Sequence, residues 1–228
     1  RARGDSLMAA SVDHYELTDK KAVVVSDTPA GIAIASAYAE AGAVVSLATD
    51  ANGVEAAIEK LGGIDILACA PDKFLAKPIT EISDDELASV LATNFTTHFT
   101  AIRAATRLME PGGRIVLVTH VLGERGLPNC SAYSAAHGAT QNLIRALAQE
   151  LAPVEISING IALGWMDWME DRLDPQNEEA GRAIRFTISK RAGKPEDIGP
   201  MAVWLSGTGA GFVTGQIFAV DGGLLQHL

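Results

Sequence analysis

Residues 126–137, GLPNCSAYSAAH, and the apolar run before them, residues 114–119, RIVLVT, decide the fold of this chain. The run is typical of a buried β-strand, and a helical pattern begins within the second segment. Tyr133 and His137 stand four residues apart, so both side chains project from one face of that helix. His120 ends the strand. The stretch therefore predicts a strand-to-helix unit with three polar ring side chains near the start of the helix.

Size and charge limit the class of protein. The chain has 228 residues, 48% of them hydrophobic, and this length is common for one α/β domain. We predict a polar lead-in over residues 1–20, with Met8 as a candidate natural start, and a single domain over residues 21–228. The formal net charge of −10 repels phosphate backbones and anionic lipids, so neither nucleic acid nor a membrane is an expected partner. Two cysteines make no disulfide framework, and no apolar run is long enough to cross a bilayer, so we expect a cytoplasmic protein.

Strand and helix patterns alternate along the whole domain. Apolar runs rich in Val, Ile and Ala predict strands at 21–25, 43–48, 64–70, 114–119, 155–162 and 216–220. Helical patterns lie between them at 30–41, 54–61, 84–109, 131–151 and 195–206, and an acidic loop with helical character covers 166–188. This alternation predicts an α/β fold, with a doubly wound parallel sheet covered by helices on both faces.

The site residues resemble those of the short-chain dehydrogenase/reductase family, which pairs a serine at a strand end with Tyr-x-x-x-Lys. Tyr133 stands in the tyrosine place, His120 in the serine place and His137 in the lysine place, and Asn94 matches the family's helix asparagine. Further similar segments are 65–67, DIL; 191–198, RAGKPEDI; 214–216, TGQ; and 220–223, VDGG. The resemblance covers most of residues 21–223 and implies a Rossmann-like sheet and nicotinamide-dependent oxidoreductase chemistry.

The dinucleotide motif of that family is largely replaced. The family uses Thr-Gly-x-x-x-Gly-Ile-Gly at the first strand-to-helix turn, so that backbone amides touch the diphosphate. This chain has SDTPAGIA at 26–33 and keeps one of the three glycines, Gly31, followed by Ile32. Asp27 places a carboxylate near the diphosphate, where a like charge at ~5 Å costs roughly 3 kcal/mol at an effective dielectric constant of ~20. We therefore expect no bound cofactor, and interpret Asp27, Gly31, Ile32 and the later Gly164 as vestigial positions.

Other cofactor contacts change in the same direction. Only residues 51–63 separate Asp50 from the third predicted strand, too few for the additional helix and edge strand that border the adenine pocket in the family. The sheet is therefore expected to lack one edge strand. The family's Asn-Asn-Ala-Gly is CAPD at 69–72, which adds the carboxylate of Asp72 to the cleft, and Trp168 stands where a threonine holds the nicotinamide.

The catalytic set also departs from the family pattern. A tyrosine phenol has a reference pKa of about 10, and an adjacent lysine cation lowers it in the family. His137 in the lysine place offers less positive charge, and the ring of His120 is bulkier than a serine hydroxyl. We interpret Tyr133, His120, His137 and Asn94 as family positions that are vestigial, or as a new acid/base site. Two histidines and a tyrosine without a carboxylate at ligand spacing predict no metal site.

Helices 84–109 and 131–151 are rich in small residues, which suits close helix packing on more than one face. In the family, these helices and the C-terminal region form the interfaces of a tetramer. The first hypothesis is a non-catalytic subunit that assembles as a tetramer with an active paralogue, in which NAD is bound by the partner, in a hydroxyacyl-CoA or alcohol dehydrogenase complex. The alternatives are a cofactor-free lyase similar to halohydrin dehalogenases, or an active NAD(P)-dependent oxidoreductase with a divergent site.

Overall fold

The computed structural model describes residues 15–172 and 184–226. Six strands form one parallel sheet in the order β2-β1-β3-β4-β5-β6. Their bounds are β1 Lys21–Val25, β2 Val44–Ala48, β3 Ile66–Cys69, β4 Arg114–His120, β5 Ser157–Leu163 and β6 Ile217–Val220. The prediction of a doubly wound parallel sheet is confirmed. Within the described residues, β2 is an edge strand with no further strand beside it, as the short connection to β3 predicts.

Helices cover both faces of the sheet. Their bounds are α1 Pro29–Glu40, α2 Val54–Leu61, α3 Asp84–Leu91, α4 Thr97–Thr106, α5 Ser131–Leu151 and α6 Gly199–Ser206. Local sequence explains several ends. The Thr28 side chain caps α1 ahead of Pro29, Ser83 and Glu86 form a capping box at α3, and Gly62 ends α2 in the left-handed conformation at φ 69°.

The core forms two layers because successive strand residues point to opposite faces of the sheet. Val24 packs with α1 and α6 on one face, whereas Val23 and Val25 pack with α2, α4 and α5 on the other. Burial on both faces explains why the central strands are continuous apolar runs instead of alternating apolar and polar residues.

One predicted helix, 84–109, is interrupted. Residues Ala92–Thr96 form a π-helical segment between α3 and α4, and Asn94 lies in it with its side chain fully buried. Asn94 hydrogen-bonds the backbone of Lys73, a residue 21 positions away, so the interruption depends on a tertiary contact that helical periodicity does not encode.

Two other predictions are met in part. Residues Asp167–Arg172 of the predicted acidic loop form 3-10 turns, and residues 173–183 of that loop lie outside the described part of the chain. Residues 1–14 of the predicted lead-in also lie outside it. In the part of the chain that the structure describes, no helix has the length and apolarity needed to cross a membrane.

Candidate functional site

The candidate site lies where the carboxyl ends of the central strands meet. Strand β1 lies between β2 and β3 in the sheet, so the order of the strands reverses direction between β1 and β3. Open α/β sheets bind ligands at such a switch point. A cavity of about 10 Å³ lies at this edge, near the minimum size for one water molecule. Its walls include Asp72, His120, Tyr133, His137, Trp168 and Met169.

On one side of this cleft, the turn between β1 and α1 is internally hydrogen-bonded. The hydroxyls of Ser26 and Thr28 lie 2.8 and 2.9 Å from the Ala70 carbonyl oxygen, and the Gly31 amide donates to the Thr28 hydroxyl at 3.3 Å. A Cβ on Gly31 would lie 2.2 Å from the Ser26 Cβ, a distance that real Cβ atoms do not adopt. Gly31 is therefore required by the packing of the turn, whatever the turn binds.

On the other side, the first turns of α5 carry the polar rings. Tyr133 is 1% exposed, and its hydroxyl donates to Asp72 Oδ1 at 2.8 Å. His137 Nε2 lies 3.7 Å from the same carboxylate oxygen. The rings of Tyr133 and His137 meet edge to face with centroids 4.3 Å apart, as expected for residues one helical turn apart.

The hydrogen bonds around His120 and His137 indicate which ring nitrogen carries the proton in each. The Leu122 amide donates to His120 Nδ1 at 3.1 Å, so a neutral His120 ring carries its proton on Nε2. Thr119 Oγ1 lies 3.1 Å from His137 Nδ1. If this hydroxyl donates, the His137 proton is on Nε2, the nitrogen nearer to Asp72. The arrangement can therefore present an N–H toward the cleft and another toward the carboxylate.

Asn94 and His98 lie one layer deeper, one turn apart along the same helical segment. The Asn94 side chain accepts from the Lys73 amide and donates to the Lys73 carbonyl, both at 2.8 Å, and so fixes the loop that carries Asp72. His98 is fully buried, and neither of its ring nitrogens has a hydrogen-bond partner among the described residues. Burial first, and the neighbouring His137 second, lower the pKa of His98 to about 3, while the Asp72 charge and the Val118 backbone act in the opposite direction.

The predicted site residues thus divide into two groups. Tyr133, His120 and His137 come together at the cleft, and Asn94 supports it from behind. The vestigial positions do not converge. Ile32 is 58% exposed, Asp27 is exposed, and Gly164 packs on Asp221, where an added Cβ would lie 2.5 Å from a backbone Cα.

Sequence reasoning missed two residues of the site and the partner of a third. Thr119 and His98 were not identified, and Asp72 was recognised only as a charge in the cleft. His98 follows Asn94 by four residues, and this helical spacing is the signal that could have found it. Nothing in local spacing links Asp72 to Tyr133, because 61 residues separate them. Within the described residues, no group of three or more histidines, cysteines or carboxylates has the geometry of a metal site.

The chain is similar to proteins that are named as oxidoreductases. A family model described as enoyl-(acyl carrier protein) reductase matches residues 46–225. The chain is 30% identical to L-2,3-butanediol dehydrogenase of Corynebacterium glutamicum over 189 residues, 77% of this chain and 73% of that protein. It is 33% identical to gluconate 5-dehydrogenase of Gluconobacter oxydans over 180 residues, 78% of this chain and 70% of that protein. A blue fluorescent protein from a metagenomic library, solved in complex with NADPH, superposes with a TM-score of 0.83 at 27% identity, over 92% of this chain and 99% of that chain.

These relatives contradict two expectations. The interpretation as a non-catalytic subunit is wrong, because relatives at 30% and 33% identity are named as dehydrogenases. The expectation that no dinucleotide binds is also wrong, because a structural relative holds NADPH, and the cofactor-free lyase fails with it. The error came from counting glycines. Gly31 packs against the Ser26 side chain, and Asp27, which replaces another motif glycine, is exposed, so solvent screens its charge.

The N-terminus of α1 fits the diphosphate part of a dinucleotide. Pro29 has no N–H and the Gly31 amide is held by the Thr28 cap, which leaves the Ala30 amide as the anion contact of the α1 N-terminus. Asp50, also missed by sequence reasoning, follows β2 at the place where an acidic side chain meets a ribose hydroxyl. A nicotinamide ring needs more room than 10 Å³, so the cleft must open for the ring to enter.

Proposed function

The chain belongs to the short-chain dehydrogenase/reductase family, and we propose that it is an active member that interconverts a small alcohol and its carbonyl with a nicotinamide dinucleotide. The observation that carries the proposal is the Tyr133 hydroxyl, which stands at the switch-point cleft, 2.8 Å from a carboxylate that can accept its proton. The named dehydrogenases among the relatives support the reaction type.

Each side chain of the cleft has a proposed part. When bound, the nicotinamide accepts or supplies the hydride. Tyr133 exchanges a proton with the substrate oxygen, and His120 donates a hydrogen bond to that oxygen from Nε2, in the place where the family has a serine hydroxyl. Trp168 and Met169 exclude water from this end of the cleft, which strengthens both polar interactions.

Two carboxylates support a narrower choice of ligands. Asp50 accepts the amides of Asn52 and Gly53 at 2.9 and 3.2 Å, so its negative charge is fixed at the end of β2. A 2′-phosphate there would be repelled, and we propose a preference for NAD over NADP. Asp72 repels an anionic substrate in the same way, so we propose a neutral alcohol or diol over a sugar acid.

The test is an assay of the purified chain. NADH and NADPH are titrated by fluorescence, and oxidation of 2,3-butanediol and gluconate is followed by NADH absorbance. We expect tighter binding of NADH, faster oxidation of the diol, and a loss of ~10²–10⁴-fold in rate for Tyr133→Phe, the range lost with a general acid/base.

The matched control is Tyr15→Phe, which removes a phenol that is 57% exposed outside the cleft and should leave the rate unchanged. Absence of dinucleotide binding at millimolar concentration, or full activity of Tyr133→Phe, would overturn the proposal.

Assembly remains a proposal. Exposed apolar residues along α3 and α4, among them Leu87 and Phe99, support association through helices 84–109 and 131–151. Light scattering of the purified chain would test it, with the mass of a tetramer expected.

A further inference from the structure

Asp72 occupies a position between the two polar rings of α5. Its Oδ1 atom accepts the Tyr133 hydroxyl at 2.8 Å and lies 3.7 Å from His137 Nε2. The His137 side chain is 2% exposed and that of Asp72 is 16% exposed, so solvent screens their interaction only in part. A carboxylate that receives a phenol hydrogen bond and faces an imidazole is arranged as the end of a proton path.

The environment fixes this carboxylate in place. Asn94 holds both backbone groups of the next residue, Lys73, and Phe74 packs edge to face on the Tyr133 ring with centroids 5.1 Å apart. The loop thus presents Asp72 to Tyr133 from a backbone anchored on the π-helical segment. An anchored acceptor loses little entropy when a proton moves to it.

Among the described residues, titratable side chains near Asp72 belong to three elements. Tyr133 and His137 belong to α5, His120 ends β4, and His98 lies on α4 behind His137. Burial keeps His98 neutral down to about pH 3, so it adds no charge near neutral pH. A protonated His137 would stabilise the carboxylate, whereas a phenolate on Tyr133 would be repelled by it.

We propose that Asp72 is the proton acceptor that works through Tyr133, and this inference rests on the proposed function. In alcohol oxidation the substrate O–H bond breaks and its proton forms a new O–H bond on Tyr133, while the original Tyr133 proton passes to Asp72 Oδ1. The carboxylate becomes a carboxylic acid, and the electron pair of the C–H bond leaves as hydride to the nicotinamide oxidant. Tyr133 never becomes a free phenolate, so it needs no lysine cation beside it.

The first test compares the pH dependence of wild type and Asp72→Asn. Wild-type oxidation should rise with pH as Asp72 ionises, and Asp72→Asn should lose this rise together with ~10²–10³-fold of the rate. Asp85→Asn, a change of the same kind on the exposed first turn of α3, should match wild type. Adding Asp72→Asn to Tyr133→Phe should slow the enzyme no further, because Asp72 acts through the phenol.

The second test needs neither substrate nor cofactor. The chain has three tyrosines, and the ultraviolet difference between wild type and Tyr133→Phe isolates the titration of Tyr133. Removing the carboxylate should lower its midpoint by about one pH unit in Asp72→Asn, because a neutral amide no longer repels the phenolate. If Asp72→Asn fails to fold, Asp72→Ala should lower the same midpoint, because it also removes the negative charge.

The outcomes separate the two proposals. No dinucleotide turnover in wild type, with the Tyr133 midpoint shifted as stated, overturns the proposed function and leaves the coupling of Asp72 to Tyr133 standing. If wild type turns over substrate and Asp72→Asn is equally fast or faster, Asp72 is not the proton acceptor. The carboxylate would then hold the Tyr133 proton back. An unshifted Tyr133 midpoint overturns the coupling itself.

Discussion

The β1–α1 turn and the start of α5 border the same cleft, but they differ in how far their polar groups are hydrogen-bonded. In the turn, the hydroxyls of Ser26 and Thr28 bind the Ala70 carbonyl, and the cap satisfies the Gly31 amide. Around Tyr133, polar atoms face one another across a cavity, and His98 and His137 keep ring nitrogens without hydrogen bonds to the described residues.

The difference indicates that the β1–α1 turn has a structural role and that the polar groups around Tyr133 have a chemical one. Most buried polar groups in native structures are hydrogen-bonded, and an unsatisfied group calls for an explanation, of which a functional role is one. Changes in the turn should therefore alter the free energy of unfolding, and changes around Tyr133 should alter protonation.

The largest expected effect is the pH dependence of stability due to His98. Its pKa is about 3 in the folded protein and about 6.5 in an unfolded chain, so only the unfolded chain binds a proton between these values. The stability is complete above pH 6.5 and should fall by up to about 1.4 kcal/mol per pH unit as the pH drops toward 3. In His98→Leu this contribution is absent.

Urea unfolding of wild type and His98→Leu from neutral pH down to about pH 4 measures it, because the carboxylates common to both cancel in the difference. Parallel stability curves for the two proteins would contradict the prediction, because His98 would then bind its proton equally in the folded and unfolded states.

Gly31→Ala should have the next largest effect. The added methyl group would lie 2.2 Å from the Ser26 Cβ, so the strand and helix must separate, at a cost of about 1–3 kcal/mol in the free energy of unfolding. Gly126→Ala is the control, because an added Cβ there meets nothing within 4 Å. Equal unfolding midpoints for the two variants would contradict the prediction, because they would show that the turn accommodates the added methyl group.

Thr28→Ala should have the smallest effect, about 1 kcal/mol, since it removes the cap of α1 and the contact with Ala70. Thr28→Ser keeps the hydroxyl and should retain most of the stability. The Tyr133 titration should be the same in wild type and both variants. A shifted Tyr133 midpoint in Thr28→Ala would contradict the prediction, because it would mean that the two sides of the cleft are coupled.

Part of the site could be predicted from the chain alone. Helical spacing placed Tyr133 and His137 on one face of α5, and the strand end placed His120 beside them. The use of these groups could not be predicted in the same way. The absence of lysine suggested lost chemistry, whereas the fold brings Asp72 to the phenol from a loop 61 residues away.

Residue pattern alone predicts the six strands, the helix Ser131–Leu151 and the missing edge strand, because hydrophobic periodicity and connection length are local properties of the chain. Three features come from tertiary contacts: the π-helical segment at Asn94, the steric requirement for Gly31, and the hydrogen bond between Asp72 and Tyr133. These contacts join residues that are far apart in sequence. Their distances depend on how the parallel strands pair, and local sequence spacing does not predict that pairing.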